Sequence, residues 1–240
     1  IDAFSHGIVH SGLPVHILLN NAGIMASPVL ERDSRGNEMQ FSTNHLGYFQ
    51  LTNRLWPALR RADGARVIPV SSLGHHLSDI GWNHINFERR EYEGWIAYGQ
   101  SKTANILFAV EVNRRGRDDG IRSFSLHPGG VVIGLAKHIP VEQLMEAGNL
   151  DPDEEPVIDP DKDMKSIPQG AATHIWCAVS QQIAAVGGVF CLNSDIAPLD
   201  TGDIAPDGQR IYGVAPYAVD PRSARRLWMV SESLIGTRFL

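Results

Sequence analysis

Three short apolar runs, each ending in small and polar residues, constrain the fold of this chain more than any other feature. The runs are 15–19, followed by Asn20-Asn21-Ala22-Gly23; 65–72, which ends in Ser71-Ser72; and 121–126, followed by His127-Pro128-Gly129-Gly130. Nearly continuous apolar strands of this kind are typical of a parallel sheet that is covered on both faces. Because parallel strands place their carboxyl ends at one edge, we expect the three polar clusters to meet there.

Segments with helical patterning separate these strands. We predict helices over 1–12, 37–61, 97–115 and 169–182, a fourth strand over 188–192, and a last helix that begins near Pro221 with Asp220 as its N-cap. The alternation of strands and helices predicts a doubly wound α/β sheet within a single domain, residues 1–240. The acidic, proline-containing segment 140–168 is expected to form a surface loop or a lid.

Composition narrows the possible classes of function. The 240 residues are 43% hydrophobic and 20% charged, which is typical of a soluble globular protein. A net charge of -6 without a long basic cluster argues against a nucleic-acid partner. No apolar run reaches the roughly 18 residues of a membrane span, and the first residues lack the basic region of a signal peptide. Cys177 and Cys191 are expected to be buried thiols, which favours a reducing cytoplasm.

Tyr98 and Lys102 are four residues apart on a predicted helix, so they share one face of it. A neighbouring ammonium stabilises a phenolate and lowers the pKa of a tyrosine from about 10. A tyrosine tuned in this way can pass a proton to or from a substrate oxygen. The pair therefore predicts acid/base chemistry at the polar edge of the sheet.

The order of these motifs resembles the short-chain dehydrogenase/reductase family. Its elements are NNAG after a strand, a serine at the end of the next strand, Tyr-x-x-x-Lys on a helix, and Pro-Gly after a further strand. The longer strings TNHLGYFQLT, SSLGHHLSDI, AYGQSKTANILF and HPGG resemble its retinol dehydrogenase-like branch, as does the 26-residue gap between Ser72 and Tyr98. The resemblance implies a Rossmann-like fold and an oxidoreductase that uses NADP or NAD.

The resemblance also implies a role for each matching residue. Tyr98 would be the general acid/base, and Ser72 would hydrogen-bond the substrate oxygen. Lys102 would lower the pKa of Tyr98 and hold the nicotinamide ribose, while Asn44 would position a water molecule that links Lys102 to solvent. The implied cofactor-binding residues are Asn21, Ala22, Gly23, Tyr98, Lys102, Pro128, Gly129 and Val131.

The sequence departs from the family pattern in two places. Only 19 residues precede Asn20, and there is no G-x-G-x-x-G turn of the kind that holds a cofactor pyrophosphate, so we expect the N-terminal strands of the fold to be missing. The strand at 15–19 then becomes an open edge that pairs with other chains, in keeping with a homo-oligomer. Where the family carries Thr or Ser after Pro-Gly, this chain has Ile133, which removes a hydrogen bond worth about 0.5–1.5 kcal/mol.

Three functions are compatible with this pattern. The first is an NAD(P)-dependent oxidoreductase that interconverts an alcohol and a carbonyl on a small, fairly apolar substrate. The second is a cofactor-free acid/base enzyme on the same scaffold, such as an isomerase, dehydratase or cyclase, which the missing Gly-rich turn and Ile133 favour. The third is a non-catalytic interaction module, against which the intact set of Asn44, Ser72, Tyr98 and Lys102 argues.

Two further clusters have a functional and a structural interpretation. The aromatic stretch of Trp82, Phe87, Tyr92 and Trp95 either lines an apolar pocket or packs in the ordinary way. His75-His76 suggests a metal, but no set of ligands has suitable spacing, so we interpret the pair as loop polarity and predict no metal site. His127 is expected to be structural.

Overall fold

In the computed structural model, which describes residues 1–202 and 213–239, five strands form one sheet in the order in which they occur along the chain. They are β1 (Ile17–Asn20), β2 (Arg66–Pro69), β3 (Arg122–Leu126), β4 (Val189–Leu192) and β5 (Asp195–Ile196). Strands β1 to β4 are parallel, and β5 returns antiparallel to β4. The predicted parallel α/β sheet is confirmed, and the polar clusters after β1, β2 and β3 lie at one edge.

Helices cover both faces of this sheet. They are α1 (Asp2–His10), α2 (Met39–Phe41), α3 (Gly47–Arg60), α4 (Gly94–Gly116), α5 (Val141–Glu146), α6 (Ile167–Val179) and α7 (Pro221–Ile235). On one face α3, α4 and α7 share a core that contains Phe49, Phe108 and Trp228. On the other face Cys177 of α6 packs over Ile68 of β2. Two helical layers around a parallel sheet are the Rossmann-like arrangement expected from the sequence.

The helix predicted over 37–61 is interrupted by a π-helical segment, Ser42–Leu46, between α2 and α3. The carboxylate of Glu38 caps its start by accepting from the backbone N–H groups of Gln40 and Phe41. Segments of π-helix are often found at functional sites, because the wider turn changes where a side chain points. This segment carries Asn44.

Strand β1 lies at one edge of the sheet and, within the described residues, pairs only with β2. Leu18 is in register with Val67 and packs into the core that α3 and α4 cover. Leu19 is in register with Ile68, so it faces the side that α6 covers. Ile17 and Leu19 are 43% and 44% exposed.

The segment predicted to be a loop or lid contains regular structure. It forms α5 and a short 3-10 helix, Pro160–Lys162. Helix α6 then begins two residues earlier than predicted, because Ser166 and Gln169 form a capping box and a proline stands at its start. The role of residues 140–168 as a lid stays a prediction.

The two cysteines are free and buried, as expected, and the fold brings them together. Cys177 lies on α6 and Cys191 on β4, and burial together with a hydrogen bond from Cys177 raises the pKa of the Cys191 thiol. Across residues 1–202 and 213–239, none of the helices has both the length and the apolar character needed to cross a bilayer.

Candidate active site

A cavity of about 910 Å³ opens at the carboxyl ends of β1, β2 and β3. Nine of the ten predicted site residues line it: Asn21, Ala22, Gly23, Ser72, Tyr98, Lys102, Pro128, Gly129 and Val131. The tenth, Asn44, lies behind the loop that follows β1. Clefts at this edge of an open α/β sheet are where such folds bind ligands.

Ser72 and Tyr98 meet on the floor of this cavity. Ser72 follows β2 and caps the next 3-10 helix, where its hydroxyl accepts from the backbone N–H of Gly74 at 3.0 Å. Tyr98 lies in the second turn of α4, and its phenol hydrogen-bonds with the Ser72 hydroxyl. A Cβ on Gly74 would lie 2.7 Å from Tyr98 Cε1, so the absence of a side chain there leaves room for the ring.

The pKa values of Tyr98 and Lys102 are set chiefly by burial. Tyr98 is 4% exposed and Lys102 is 3% exposed. Burial raises the pKa of Tyr98 to about 12, and the hydrogen bond from Ser72 acts in the opposite direction. Burial also lowers the pKa of Lys102 to about 8. The net direction for Tyr98 is therefore upward, because burial exceeds the opposing effect of the Ser72 hydrogen bond, and the predicted lowering of the Tyr98 pKa by Lys102 stays a prediction.

Lys102 reaches past Tyr98 to the end of β2. Its Nζ lies 5.4 Å from the centroid of the Tyr98 ring and donates to the carbonyl of Val70 at 3.2 Å. The amide of Asn105 donates to the same carbonyl at 2.9 Å. The ammonium is thus fixed between the strand end and the loop that follows β1, where a Cβ on Gly23 would be 3.8 Å away.

Asn44 is fully buried and fixes the loop after β1. Its Oδ1 accepts from the Ile24 backbone N–H at 2.9 Å, and its Nδ2 donates to the Ile24 carbonyl at 2.9 Å. Nδ2 also donates to Ser101 Oγ at 2.9 Å, and Ser101 donates in turn to the Tyr98 carbonyl. The side chain of Asn44 therefore links the loop that carries Gly23 to the helix that carries Tyr98. Its predicted role in positioning a water molecule stays a prediction.

Sequence reasoning missed a second support of the same loop. The hydroxyl of Tyr48 donates to the Ala22 carbonyl, and burial raises the pKa of this tyrosine above its ordinary value. Tyr48 follows Asn44 by four residues, so the two side chains leave the helix on similar faces. This spacing is the signal that could have identified Tyr48.

The loop after β3 needs glycine at its bend. Gly129 has a φ of +101°, a region that favours glycine, and a Cβ there would come within 2.5 Å of the Lys165 side chain. Farther along the loop, Ile133 lines the cavity and is 48% exposed. An apolar side chain therefore lies at the position where the family carries a hydroxyl.

Only one member of the predicted aromatic stretch lines the cavity. Trp95 does so, with its ring edge-on to Tyr98 at 6.0 Å between centroids. Trp82 packs against the core beneath α3 and α4, and Phe87 packs with Tyr92. The pocket interpretation therefore fits Trp95, and the packing interpretation fits the other three.

The histidine pair after Ser72 supports the backbone rather than a metal. His75 is buried, with Nδ1 2.7 Å from the Ser72 carbonyl and Nε2 accepting from the Ala215 N–H at 3.0 Å. Burial lowers its pKa to about 4. The interpretation as loop polarity does not describe His75, because its ring is buried and both ring nitrogens have backbone partners. The part of the chain that the structure describes holds no group of three His, Cys, Asp or Glu side chains that could bind a metal.

This arrangement agrees with what the sequence matches. The family model described as short chain dehydrogenase matches residues 1–143, which carry the loop after β1, Ser72, Tyr98 and Lys102. The chain belongs to the short-chain dehydrogenase/reductase family. As a member of this family, it is an oxidoreductase.

Relatives in this family include both bacterial and human proteins. A Streptomyces lividans protein named Probable oxidoreductase is 39% identical over 216 residues, which cover 90% of this chain and 70% of the relative. Human Retinol dehydrogenase 12 is 32% identical over 239 residues, which cover 100% of this chain and 67% of the relative. These and related retinol dehydrogenases support the retinol dehydrogenase-like branch.

A solved structure has the same fold. It is the crystal structure of an uncharacterized protein from Mycobacterium Paratuberculosis, with a TM-score of 0.68 and 30% identity. The match covers 100% of this chain and 72% of that one. This chain thus spans about two thirds of the length of its relatives.

Proposed function

We propose that this short-chain dehydrogenase/reductase interconverts an alcohol and a carbonyl on a small, fairly apolar substrate, with NADP or NAD as its cofactor. The observation that carries the proposal is the meeting of Ser72, Tyr98 and Lys102 on the floor of one cavity. A hydroxyl, a phenol and an ammonium side by side can bind a substrate oxygen and move a proton at it. The homo-oligomer stays a prediction.

The residues around Lys102 fit the nicotinamide end of such a cofactor. An ammonium has three N–H donors, and among the described residues Lys102 uses one, to the Val70 carbonyl. The bare backbone of Gly23 leaves the approach to this ammonium open, because no Cβ stands between them. Lys102 would hold ribose hydroxyls, and Asn21 and Ala22 would line the cofactor. On the other side, the nicotinamide would be flanked by Pro128, Gly129 and Val131.

A bound nicotinamide supplies hydride transfer, and the protein supplies the proton. Ser72 Oγ–H donates to the substrate oxygen and orients it toward Tyr98. On reduction, Tyr98 Oη gives its proton to that oxygen as negative charge develops there, and on oxidation it takes the proton back. A raised pKa keeps Tyr98 protonated at neutral pH, which suits the reductive direction.

Lys102 acts on this step through charge. With a pKa of about 8, the side chain is mostly an ammonium at neutral pH, and it lies beside the Tyr98 ring. The ammonium stabilises the phenolate that forms as the proton leaves. Tyr98 is thereby a stronger acid during the reaction than its burial alone would allow.

The rest of the cavity favours an apolar substrate. Above the floor, its walls carry Met25, Trp95, Leu135, Ile139 and Leu144. Apolar groups of a substrate gain free energy by leaving water for such walls, at roughly 25 cal/mol per Å² buried.

Titration of the purified protein with NADPH and NADH, followed by nicotinamide fluorescence, tests the proposal. Binding of at least one coenzyme is expected, together with turnover of apolar aldehydes or secondary alcohols. Lys102→Met should weaken binding, because the ribose loses its ammonium partner. The matched control is Lys162→Met at a lysine whose side chain is 80% exposed. Absence of binding and of turnover with both coenzymes would reject the proposal.

A further inference from the structure

His127, directly after β3, is tied to two separate segments of the chain. Its Nδ1 accepts from the backbone N–H of Leu73 at 3.2 Å, and its Nε2 lies 2.7 Å from Asp163 Oδ2. An N–H group can only donate and a carboxylate only accepts, so Nδ1 carries the lone pair and Nε2 carries the proton. The geometry therefore requires a neutral imidazole with one defined tautomer.

Asp163 belongs to a strap, residues 159–165, that crosses the loop after β3. The backbone N–H of Gly130 donates to the Asp163 carbonyl at 2.7 Å, and the Lys165 N–H donates to the Gly130 carbonyl at 2.8 Å. The Asp163 carboxylate also pairs with Lys165 Nζ at 3.0 Å. The Lys165 side chain is 9% exposed and passes over Gly129, where it excludes any larger residue.

Leu73 gives His127 its connection to the site. It is the residue after Ser72, and the Ser72 hydroxyl accepts from the N–H of Gly74 in the same turn. A shift of the Leu73 backbone would therefore move the Ser72 hydroxyl. The imidazole hydrogen-bonds both to this turn and to the strap, so it joins the two segments.

We propose that His127 is a positioning residue for the dehydrogenase reaction: its neutral ring holds the strap 159–165 and the Ser72–Leu73 turn in one register, and protonation at Nδ1 releases the turn while the charged ring stays bound to Asp163. This inference rests on the proposed function for its effect on catalysis. The mechanical link itself does not depend on that function.

The groups around His127 determine the direction of the pH effect. Burial lowers its pKa, while the hydrogen bond and the charge of Asp163 raise it, and Lys165 and Lys102 lower it. His75, on the other side of the turn, is a further titratable neighbour. Because the folded pKa lies below the ordinary 6.5, the neutral ring persists at neutral pH, and the link is lost as the pH falls through that lowered value.

Hydrogen–deuterium exchange can test the two hydrogen bonds of His127 separately, the one to Leu73 and the one to Asp163. In His127→Asn the amide oxygen can replace Nδ1 as acceptor, but the side chain is too short for Asp163. Exchange should rise about tenfold in peptides covering 159–165, while peptides covering 72–74 stay protected. In His127→Gln the reach toward Asp163 is kept and the Leu73 acceptor is lost, so the opposite pattern is expected.

Two further variants keep the test informative if the His127 variants do not fold. Asp163→Asn, at a side chain that is 35% exposed, replaces the charge-assisted bonds to His127 and Lys165 by neutral ones, so it should loosen the strap, with a smaller rise in exchange than His127→Asn, without disturbing the buried ring. His138→Gln, at an exposed histidine in the neighbouring loop, is the matched control and should change neither peptide. Unchanged exchange of the strap in both His127→Asn and Asp163→Asn would overturn the inference.

The pH profile of kcat gives a readout that a merely structural role would not move. Wild type should lose kcat on the acid side with a midpoint below pH 6.5, and Asp163→Asn should move that midpoint to lower pH, because the carboxylate that favours the charged ring is gone. His127→Gln should lower kcat more than it changes KM.

An exchange response without any change in kcat or its pH profile would overturn the positioning role. Absence of coenzyme binding in wild type would reject the proposed function instead, and the exchange data would still decide the link.

Discussion

Two parts of the cavity are held by different kinds of structure: the floor, formed by Ser72, Tyr98 and Lys102, and the rim, formed by Ile133 and α5. On the floor, Tyr98 and Lys102 are almost fully buried on a 23-residue helix, and each is constrained by neighbours that are themselves bonded. On the rim, Ile133 is 48% exposed and α5 has only six residues. Proton transfer needs fixed geometry, whereas selection among apolar substrates needs shape. The fold thus separates the two tasks, and the rim can change without disturbing the floor.

Among the variants considered, removal of the Tyr98 hydroxyl on the floor should have the largest effect on kcat. Tyr98→Phe keeps the ring and its packing but removes the proton donor, so we expect kcat to fall by about a thousandfold. Coenzyme binding should change far less than kcat, because the ring and Lys102 remain in place. Tyr92→Phe, which removes a half-buried, hydrogen-bonded phenol outside the cavity, is the matched control in the same turnover assay. Equal losses in both variants would show that the phenol of Tyr98 has no special role.

A smaller perturbation tests whether the floor really is rigid. A Cβ in Gly74→Ala would lie 2.7 Å from Tyr98 Cε1, so either the ring or the Ser72 turn must shift. Misplacement by about 1 Å can lower a rate by about a hundredfold, and we expect kcat to fall by that order. Gly7→Ala is the control, because no atom lies within 4 Å of the added Cβ. A fully active Gly74→Ala enzyme would mean that the floor tolerates movement.

The burial of Lys102 should be visible in stability as well as in catalysis. Its folded pKa of about 8 lies below the ordinary 10.5, so between these values the unfolded chain binds more protons, and stability rises with pH. From pH 8 to 10 the free energy of unfolding should gain about 2–3 kcal/mol from this group. Urea unfolding at several pH values measures the gain, and Lys102→Met should lack it. Parallel curves for the two proteins would contradict the assignment.

A change on the rim should have the smallest effect. Ile133→Thr restores a hydroxyl where the family carries one, and a hydrogen bond of about 0.5–1.5 kcal/mol should tighten coenzyme binding by a few-fold. Dissociation constants from fluorescence titration measure this, with Ile158→Thr as a control at another exposed isoleucine outside the cavity. A large loss of kcat in Ile133→Thr would show that rim and floor are coupled.

The sequence predicts the residues on the cavity floor better than it predicts the contacts that hold them in place. Tyr98 and Lys102 follow from a spacing of four on a helix, and Ser72 from its place at a strand end, because both depend on local geometry. Asn44 was predicted as a site residue, but its bonds to Ile24 require the π-helical segment, which no residue pattern revealed.

Contacts between distant segments escape this kind of prediction. His127 and Asp163 are 36 residues apart, and their contact depends on the path of the strap. The pKa of Tyr98 illustrates the same limit, because the depth of burial that raises it follows from packing of the whole helix and not from the spacing between Tyr98 and Lys102. Trp95 and Trp82 are likewise the same residue type in one stretch of sequence, and only the fold shows that Trp95 lines the cavity whereas Trp82 packs against the core.

The π-helical segment Ser42–Leu46 has a consequence for how chain length can vary here. A π turn holds one residue more than an α turn, so deletion of a single residue from it would restore a regular helix. The surplus residue is absorbed within that one turn, so the helix before it would keep its orientation relative to α3, and the Glu38 N–H would keep its bond to Asn86 in the segment between Ser72 and Tyr98. The change would be confined to the segment that carries Asn44, whose side chain would leave the helix in a different direction and lose its bonds to Ile24. One surplus residue in a helix thus aims a buried amide at a neighbouring loop without changing how the rest of the helix packs.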